Sequence, residues 1–220
     1  MFKLQHKVDI RWSHNFAYAI GLIASDGSLN KDGRHIWFGS KDLEQIKNFK
    51  EALGLTVVVG GHARGGEKEK RYFRIHFGDK SFCEYLNQIG IRPTKSKTIG
   101  PIAVPNEFFP DFLRGLFDGD GCFYSFWDTR WSNSFAYKMS FASASPKFVV
   151  WLKSKLSKLY GVKGYLHKGK GVVNLEYVKG DSKKLFRAMY HGPNLLFLNR
   201  KYIKVKTALE KSSELKTAPR

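Results

Sequence analysis

Two acids set the chemistry open to this chain. Asp26 closes the segment AIGLIASDG (residues 19–27), and Asp120 closes LRGLFDGDG (residues 113–121). Each segment is apolar, contains glycine and ends in Asp-Gly, and each runs into sequence that reads as a strand. Neighbouring carboxylates repel one another and resist burial unless a cation joins them. Mg²⁺ takes carboxylate oxygens while keeping several waters. Metal clamps of that kind activate water and stabilise the leaving oxygen in phosphodiester hydrolysis. The repeated acid therefore points to metal-assisted hydrolysis of a nucleic acid, provided the fold brings both copies together.

That task falls to two helices. Ser13 is a suitable N-cap for a helix from about His14 to Ser25. Asp26-Gly27 stops it, with the glycine expected to leave through a left-handed conformation. The second helix spans about Phe112 to Gly119, with Pro110 tolerated near its start. Gly21 and Ser25 share one helix face, as do Gly115 and Gly119. Small residues there let two helices pack with their backbones close, which places Asp26 and Asp120 together at the seam. Asp118 aligns with Ala24, breaks the repeat, and reads as a structural or solvent-facing acid.

The same order of elements follows each helix. In the first copy, Ser28–Asn30 and His35–Gly39 form a hairpin around Lys31-Asp32-Gly33. Asp42 caps a helix from Leu43 to Leu53, Thr56–Gly60 pairs with Tyr72–Phe77, and Phe82–Ile89 is helical. In the second, Cys122–Trp127 pairs with Ala136–Ala142, and Pro146 opens a helix to Leu159. Val162–His167 then pairs with Val172–Val178, Lys183–Met189 is helical, and Lys201–Leu209 adds a last helix. The expected fold is α+β, a pseudo-two-fold duplication of α-β-β-α-β-β-α units. Each unit carries a four-stranded antiparallel sheet that leaves one face open. The units cover residues 13–98 and 110–210, joined by a proline-interrupted linker at 99–109. The tail KSSELKTAPR reads as loose.

Lys plus Arg number 38 against 19 acids, a net charge of +19. Such an excess says nothing of fold but favours a polyanionic partner. With 18 Phe, 10 Tyr and 5 Trp, a sizeable core is available and disorder is not expected outside the ends. Cys83 and Cys122 form neither a disulfide framework nor a metal knuckle and read as buried thiols. No signal-peptide core or membrane-length apolar run is present. The expected setting is intracellular, a prokaryotic cytoplasm or an organelle matrix. The seven histidines show no zinc spacing. No GxxxxGK[ST] or GxGxxG occurs, so neither ATP nor a dinucleotide is expected. Gly60-Gly61 and Gly65-Gly66 read as mobile hairpin turns.

AIGLIASDG and LRGLFDGDG resemble the motif of the LAGLIDADG homing endonucleases, and two copies with this continuation resemble the monomeric, two-motif form. The resemblance covers roughly residues 13–210. It implies hydrolysis of both strands of double-stranded DNA across the minor groove, leaving 3′ four-nucleotide overhangs. It also implies a target of about twenty base pairs, read mostly in the major groove. Asp26 and Asp120 would be the metal ligands, assisted by the backbone carbonyls of Ser25 and Gly119. Mg²⁺ is the implied ion, with Mn²⁺ substituting and Ca²⁺ supporting binding without efficient cleavage. Ala24 and Ser25 depart from the motif where it has Asp and Ala, neither of them the catalytic carboxylate. Basic helpers are expected at Lys41, which has no lysine twin beside Ser143 and Ala144, and at Lys95 and Lys201, with Lys97 and Arg200 as rivals. The alternative is a non-cleaving member of the same fold that binds intron RNA as a maturase or DNA as a regulator.

Candidate DNA-reading residues of the first half are Asn30, Lys31, Arg34, His35, Trp37, Arg64, Lys68, Lys70, Arg71, Arg74 and His76. Those of the second are Tyr124, Phe126, Trp127, Arg130, Trp131, Asn133, Lys138, Lys168, Lys170, Asn174 and Glu176. Arg and Lys can read guanine and Asn adenine, while other contacts reach only phosphate.

Overall fold

The computed structural model describes residues 7–63, 72–129 and 134–217. The first unit runs α1 (His14–Ser25), β1 (Gly27–Leu29), β2 (His35–Ser40), α2 (Leu43–Ala52), β3 (Gly60–His62), β4 (Tyr72–Gly78) and α3 (Lys80–Gln88). The second repeats it as α4 (Phe109–Gly119), β5 (Gly121–Trp127), β6 (Phe135–Ser143), α5 (Pro146–Tyr160), β7 (Tyr165–Lys168), β8 (Val173–Val178) and α6 (Lys179–Met189). A further helix, α7 (Asn199–Thr217), follows. The two sheets are antiparallel, in the matching orders β1-β2-β4-β3 and β5-β6-β8-β7.

Helix α1 is apolar nearly all round, and Phe16 to Ala24 are all buried, so it belongs inside the protein rather than on its surface. Ser13 caps it, its hydroxyl accepting the Phe16 amide at 3.1 Å. Its partner is α4. At their crossing a Cβ on Gly21 would collide with the Phe112 carbonyl and reach within 2.9 Å of the Gly115 Cα. A Cβ on Gly115 would collide with the Tyr18 carbonyl. The expected small-residue seam therefore exists, with glycine against glycine. One continuous core spans both units and includes Ile20, Ile23, Phe38, Phe49, Phe112, Phe117, Met139 and Leu175.

Several expectations need correction. Gly27 does not take a left-handed conformation. Instead a Cβ there would lie 2.7 Å from the Ile23 Cα, and one on the matching Gly121 would lie 2.5 Å from the Phe117 Cα. Glycine serves close approach in both copies. Residues 56–59 are unpaired, although Val57 and Val59 pack on the core, and Gly60 and Gly61 lie in β3 rather than in a turn. Residues 162–164 likewise precede the strand expected to begin there. Asp42 makes no side-chain cap, because its carboxylate is taken by Arg200 at 2.6 Å. Cys83 is buried, but Cys122 is only half-buried. The tail expected to be loose is helical as far as Thr217. Lys211 there lies 5.1 Å from the Trp127 ring and 5.2 Å from Phe135, contacts that reward continued helix.

Candidate functional site

Helices α1 and α4 end side by side, and their last residues build the site. Asp26 is the C-cap residue of α1 and Asp120 that of α4. A Cβ on Gly119 would collide with Ser25 Oγ and would sit 2.8 Å from Asp26 Oδ2. The Asp26 carboxylate therefore lies against the backbone that immediately precedes Asp120. Glycine at 119 is required for this approach, and Ser25 fits because its hydroxyl turns back to the Leu22 carbonyl at 3.0 Å. Asp120 stays open to solvent at the mouth of the site. Protein atoms crowd its inner side and push its carboxyl pKa up, while Lys95 and Lys201 pull the other way. A 240 Å³ cleft bordered by Ser25, Lys95, Asp120 and Ser143 opens beside it.

Two lysines occupy corresponding places. Lys95 Nζ donates to the carbonyls of Ala24 and Ser25 at 2.8 and 3.0 Å. Lys201 Nζ donates to those of Phe117, Gly119 and Gly121 at 2.6, 2.8 and 2.7 Å. Each ammonium gathers carbonyls that the end of a helix leaves without an intrahelical partner, and Lys201 adds that of Gly121, the first residue of β5. Burial lowers the Lys95 pKa to about 8 against the opposing pull of Asp120 and then Asp26. Burial, aided by the charge of Arg200, also lowers that of Lys201, against the pull of Asp118 first and then Asp26. The rivals stand elsewhere: Arg200 is engaged with Asp42, and Lys97 is exposed. Lys41 lies with its ammonium 5.0 Å over the Tyr72 ring.

Asp118 proves to be a buried structural acid. Its Oδ2 accepts from the Tyr18 hydroxyl across the seam and from the Leu198 amide, both at 2.7 Å. Burial raises its carboxyl pKa to about 6, and the two donors oppose the shift. Its contribution to stability is thus full below the ordinary carboxylate range and is lost as pH rises through about 6. In Asp118→Asn the accepted bonds can persist without the charge. Urea unfolding at pH 5 and pH 7.5 is expected to show wild type losing roughly 1 kcal/mol across that interval relative to the variant. Parallel curves for the two proteins would remove this assignment. Gln45 is a buried link that the sequence reading missed. It accepts from Ser40 Oγ at 2.6 Å and donates to the Asp118 carbonyl at 3.1 Å. A polar residue on the apolar side of α2, beside Ile46, was its only signal.

The sheets flank this centre. Strand register places His35, Trp37, Arg74 and His76 on the open face of the first sheet, and the His35 and His76 rings stack at 5.1 Å. His35 Nδ1 lies 2.6 Å from Asp32 Oδ2, a contact that holds the Asp32 carboxyl well below the usual range. Asn30, Lys31 and Arg34 are exposed at the β1–β2 tip. On the second sheet, Tyr124, Phe126, Lys138, Asn174 and Glu176 share the open face. Glu176 there meets Lys138 at 3.3 Å and His167 at 3.4 Å. His167 was not anticipated, and its pairing opposite Asn174 puts it on that face. Trp127 and Lys168 do not join them. Alternation sets Trp127 on the side of Phe123 and Tyr137, and Lys168 on the side of Val173 and Leu175. Lys170 is exposed in the β7–β8 turn. Arg64, Lys68, Lys70, Arg71, Arg130, Trp131 and Asn133 lie outside the described residues.

Two helix–hairpin–helix–hairpin–helix units joined through glycine-faced helices, with an acid at each helix end, define the two-motif LAGLIDADG fold. The meganuclease I-AabMI, solved bound to uncleaved DNA, shares that fold at a TM-score of 0.61 and 13% identity, over 92% of this chain and 91% of its own. The N-terminal LAGLIDADG domain of DUF199/WhiA does so at 0.56 and 16%, over 94% of this chain and all of that domain. The chain spans 63% of full-length DUF199/WhiA from Thermatoga maritima, at a TM-score of 0.55 and 15% identity. I-SmaMI, solved with uncleaved DNA target and calcium ions, matches at 0.55 and 12%, over 93% of this chain and 94% of its own. No family profile and no curated protein matches the sequence. No helix among the described residues is long and apolar enough to cross a membrane.

Proposed function

We propose that this chain is a site-specific DNA endonuclease that, as a monomer, hydrolyses both strands of a duplex target of about twenty base pairs, read largely in the major groove, and leaves 3′ four-nucleotide overhangs. The observation that carries the reading is the shared end of α1 and α4. There Asp26 approaches Gly119 directly before Asp120, and a lysine braces each helix terminus. The open faces of two sheets and the net charge of +19 supply the surface for a polyanion. DNA-bound meganucleases of the same fold support the choice of duplex DNA.

The donors suit a hard divalent cation. Two carboxylates and the Ser25 and Gly119 carbonyls are all oxygen, and a cation would relieve the burial that raises the Asp120 pKa. Asp26 and Asp120 would hold Mg²⁺ with the help of those carbonyls, Mn²⁺ would substitute, and Ca²⁺ would support binding without efficient cleavage. Bound there, the ion supplies Lewis-acid contact to a phosphate oxygen and a more acidic water. Lys95 and Lys201 hold the carbonyls in place and add positive charge near the developing phosphorane. Lys41, with its ammonium over the Tyr72 ring, would add positive charge for a phosphate. Residues of the open faces select the sequence and those at the hairpin tips position the backbone.

The second reading is a non-cleaving binder of DNA or intron RNA. It is favoured by the likeness to WhiA, a protein that is not named as an endonuclease. Selection from a randomised duplex library in Mg²⁺ and in Ca²⁺, with bound and cut molecules sequenced, separates the two. The expected result is one long, partly palindromic site, bound in both ions and cut only in Mg²⁺. Selection of a site without cutting in Mg²⁺ would favour the binder. Affinity for the selected site is also expected to fall by about a hundredfold or more between 50 and 200 mM salt, as released counterions require. A salt-independent affinity measured by fluorescence anisotropy would contradict an extended phosphate footprint.

A further inference from the structure

Three side chains that the proposed function does not use converge at the far end of the α1–α4 pair. His14 opens α1, Asp111 lies in the first turn of α4, and His191 follows α6. Asp111 is fully buried, with Oδ2 at 2.8 Å from His14 Nδ1 and Oδ1 at 3.2 Å from His191 Nε2. One ligand-type atom from each residue lies within 4.8 Å of the other two. The carboxylate is oriented from behind. Arg114 Nη1 reaches Asp111 Oδ1 at 2.8 Å, and Arg114 also donates to the Met189 and Leu196 carbonyls, which bracket His191 in sequence. The length of α1 puts this cluster roughly 16 Å from Asp26 and Asp120.

We propose that His14, Asp111 and His191 form a second cation site, specific for a transition metal of the Zn²⁺ class, with water at the remaining position. Two imidazoles and one carboxylate suit Zn²⁺, Co²⁺ or Ni²⁺, whereas Mg²⁺ and Ca²⁺ prefer all-oxygen sets. Tetrahedral bonds of about 2.0–2.1 Å set ligand atoms about 3.3 Å apart. The two nitrogen–oxygen spacings, each to its own oxygen of Asp111, lie within about half an ångström of that value, and the wider spacings in the cluster, none above 4.8 Å, would have to close onto the ion. The two histidine side chains are 56% and 33% exposed and free to make that shift. Asp111 stays with Arg114, the kind of outer partner that orients a ligating carboxylate. The ion takes the place of the proton that each imidazole shares with the carboxylate. His14 comes from the first unit and the other two residues from the second, so a bound ion clamps the units together at the pole away from the acids.

The full-length chain carrying Asp26→Asn and Asp120→Asn, which silence the oxygen site, would be titrated with Zn²⁺ by calorimetry and with Co²⁺ by visible absorption. The expected result is one saturable equivalent of Zn²⁺, the visible bands of a nitrogen-ligated tetrahedral Co²⁺, and a Tm that rises with Zn²⁺ concentration. His14→Gln and His191→Gln should each abolish all three signals, and the sheet variant His76→Gln should retain them. Both are exposed enough to leave folding intact, unlike a change at Asp111, which would strand the buried Arg114. Undiminished signals in both histidine variants, or no saturable binding of either ion, would overturn the proposal and leave the three residues as a hydrogen-bonded brace.

Discussion

Asp26→Asn or Asp120→Asn is expected to lower double-strand cleavage of the selected site by about a thousandfold or more, because a lost ligand forfeits several kcal/mol of transition-state charge stabilisation. Duplex affinity should change little, since the proposed DNA-reading residues are carried by the sheet faces and hairpin tips and do not include these carboxyls. Asn keeps the size of Asp and removes the charge, and residue 120 is open to solvent, so neither change should unfold the protein. Single-turnover cleavage in Mg²⁺, measured beside binding in Ca²⁺, separates the two effects. Wild-type cutting by both variants would remove the acids from the chemistry. Equal loss of binding and cutting would instead make them parts of the DNA surface.

Gly115→Val should be the most damaging change away from the acids. The added Cβ would strike the Tyr18 carbonyl and press within 3.0 Å of Gly21 Cα and the Leu22 amide. These are backbone atoms of a buried helix and cannot swing aside. A cost of about 3 kcal/mol or more is expected, at or beyond the usual range for overpacking. Gly33→Ala is the control. Gly33 has φ +66° at a hairpin tip with nothing near its missing Cβ, so only about 1 kcal/mol of backbone strain is at stake. Urea unfolding of the two variants tests the difference. A Gly115→Val variant no less stable than Gly33→Ala would mean that the helices do not meet at these glycines.

The seam was legible because its cause is local and repeated. Gly21 and Gly115 recur at one spacing before an Asp-Gly stop, and only a close helix crossing makes use of both. The hairpins were legible from alternation, as in Val173, Leu175 and Tyr177. The errors came where distant partners decide. Asp42 looked like a cap because sequence cannot show Arg200 arriving from α7 to claim it. The last turns of α7 looked loose because their reward is contact with Trp127 and Phe135. Trp127 and Lys168 looked like reading residues by type, yet register turns them to the other face. The lysine pair was found through family resemblance, whereas the hold of each lysine on the carbonyls of its own helix end needed coordinates. His14 and His191 meet over Asp111 only because three remote segments end at one pole.

The bond between Tyr18 and Asp118 bears on how such a chain could arise or be redesigned. In the repeat, Tyr18 corresponds to Phe112, and Asp118 to Ala24. A pair of first halves would set each buried phenol against an alanine, and a pair of second halves would set each buried carboxyl against a phenylalanine. Either symmetric assembly would strand polar groups in its interior, and every such group costs free energy. The two halves have become lock and key for one another, and a symmetric homodimer cut from this protein would first need residues 18 and 118 made neutral to their own copies.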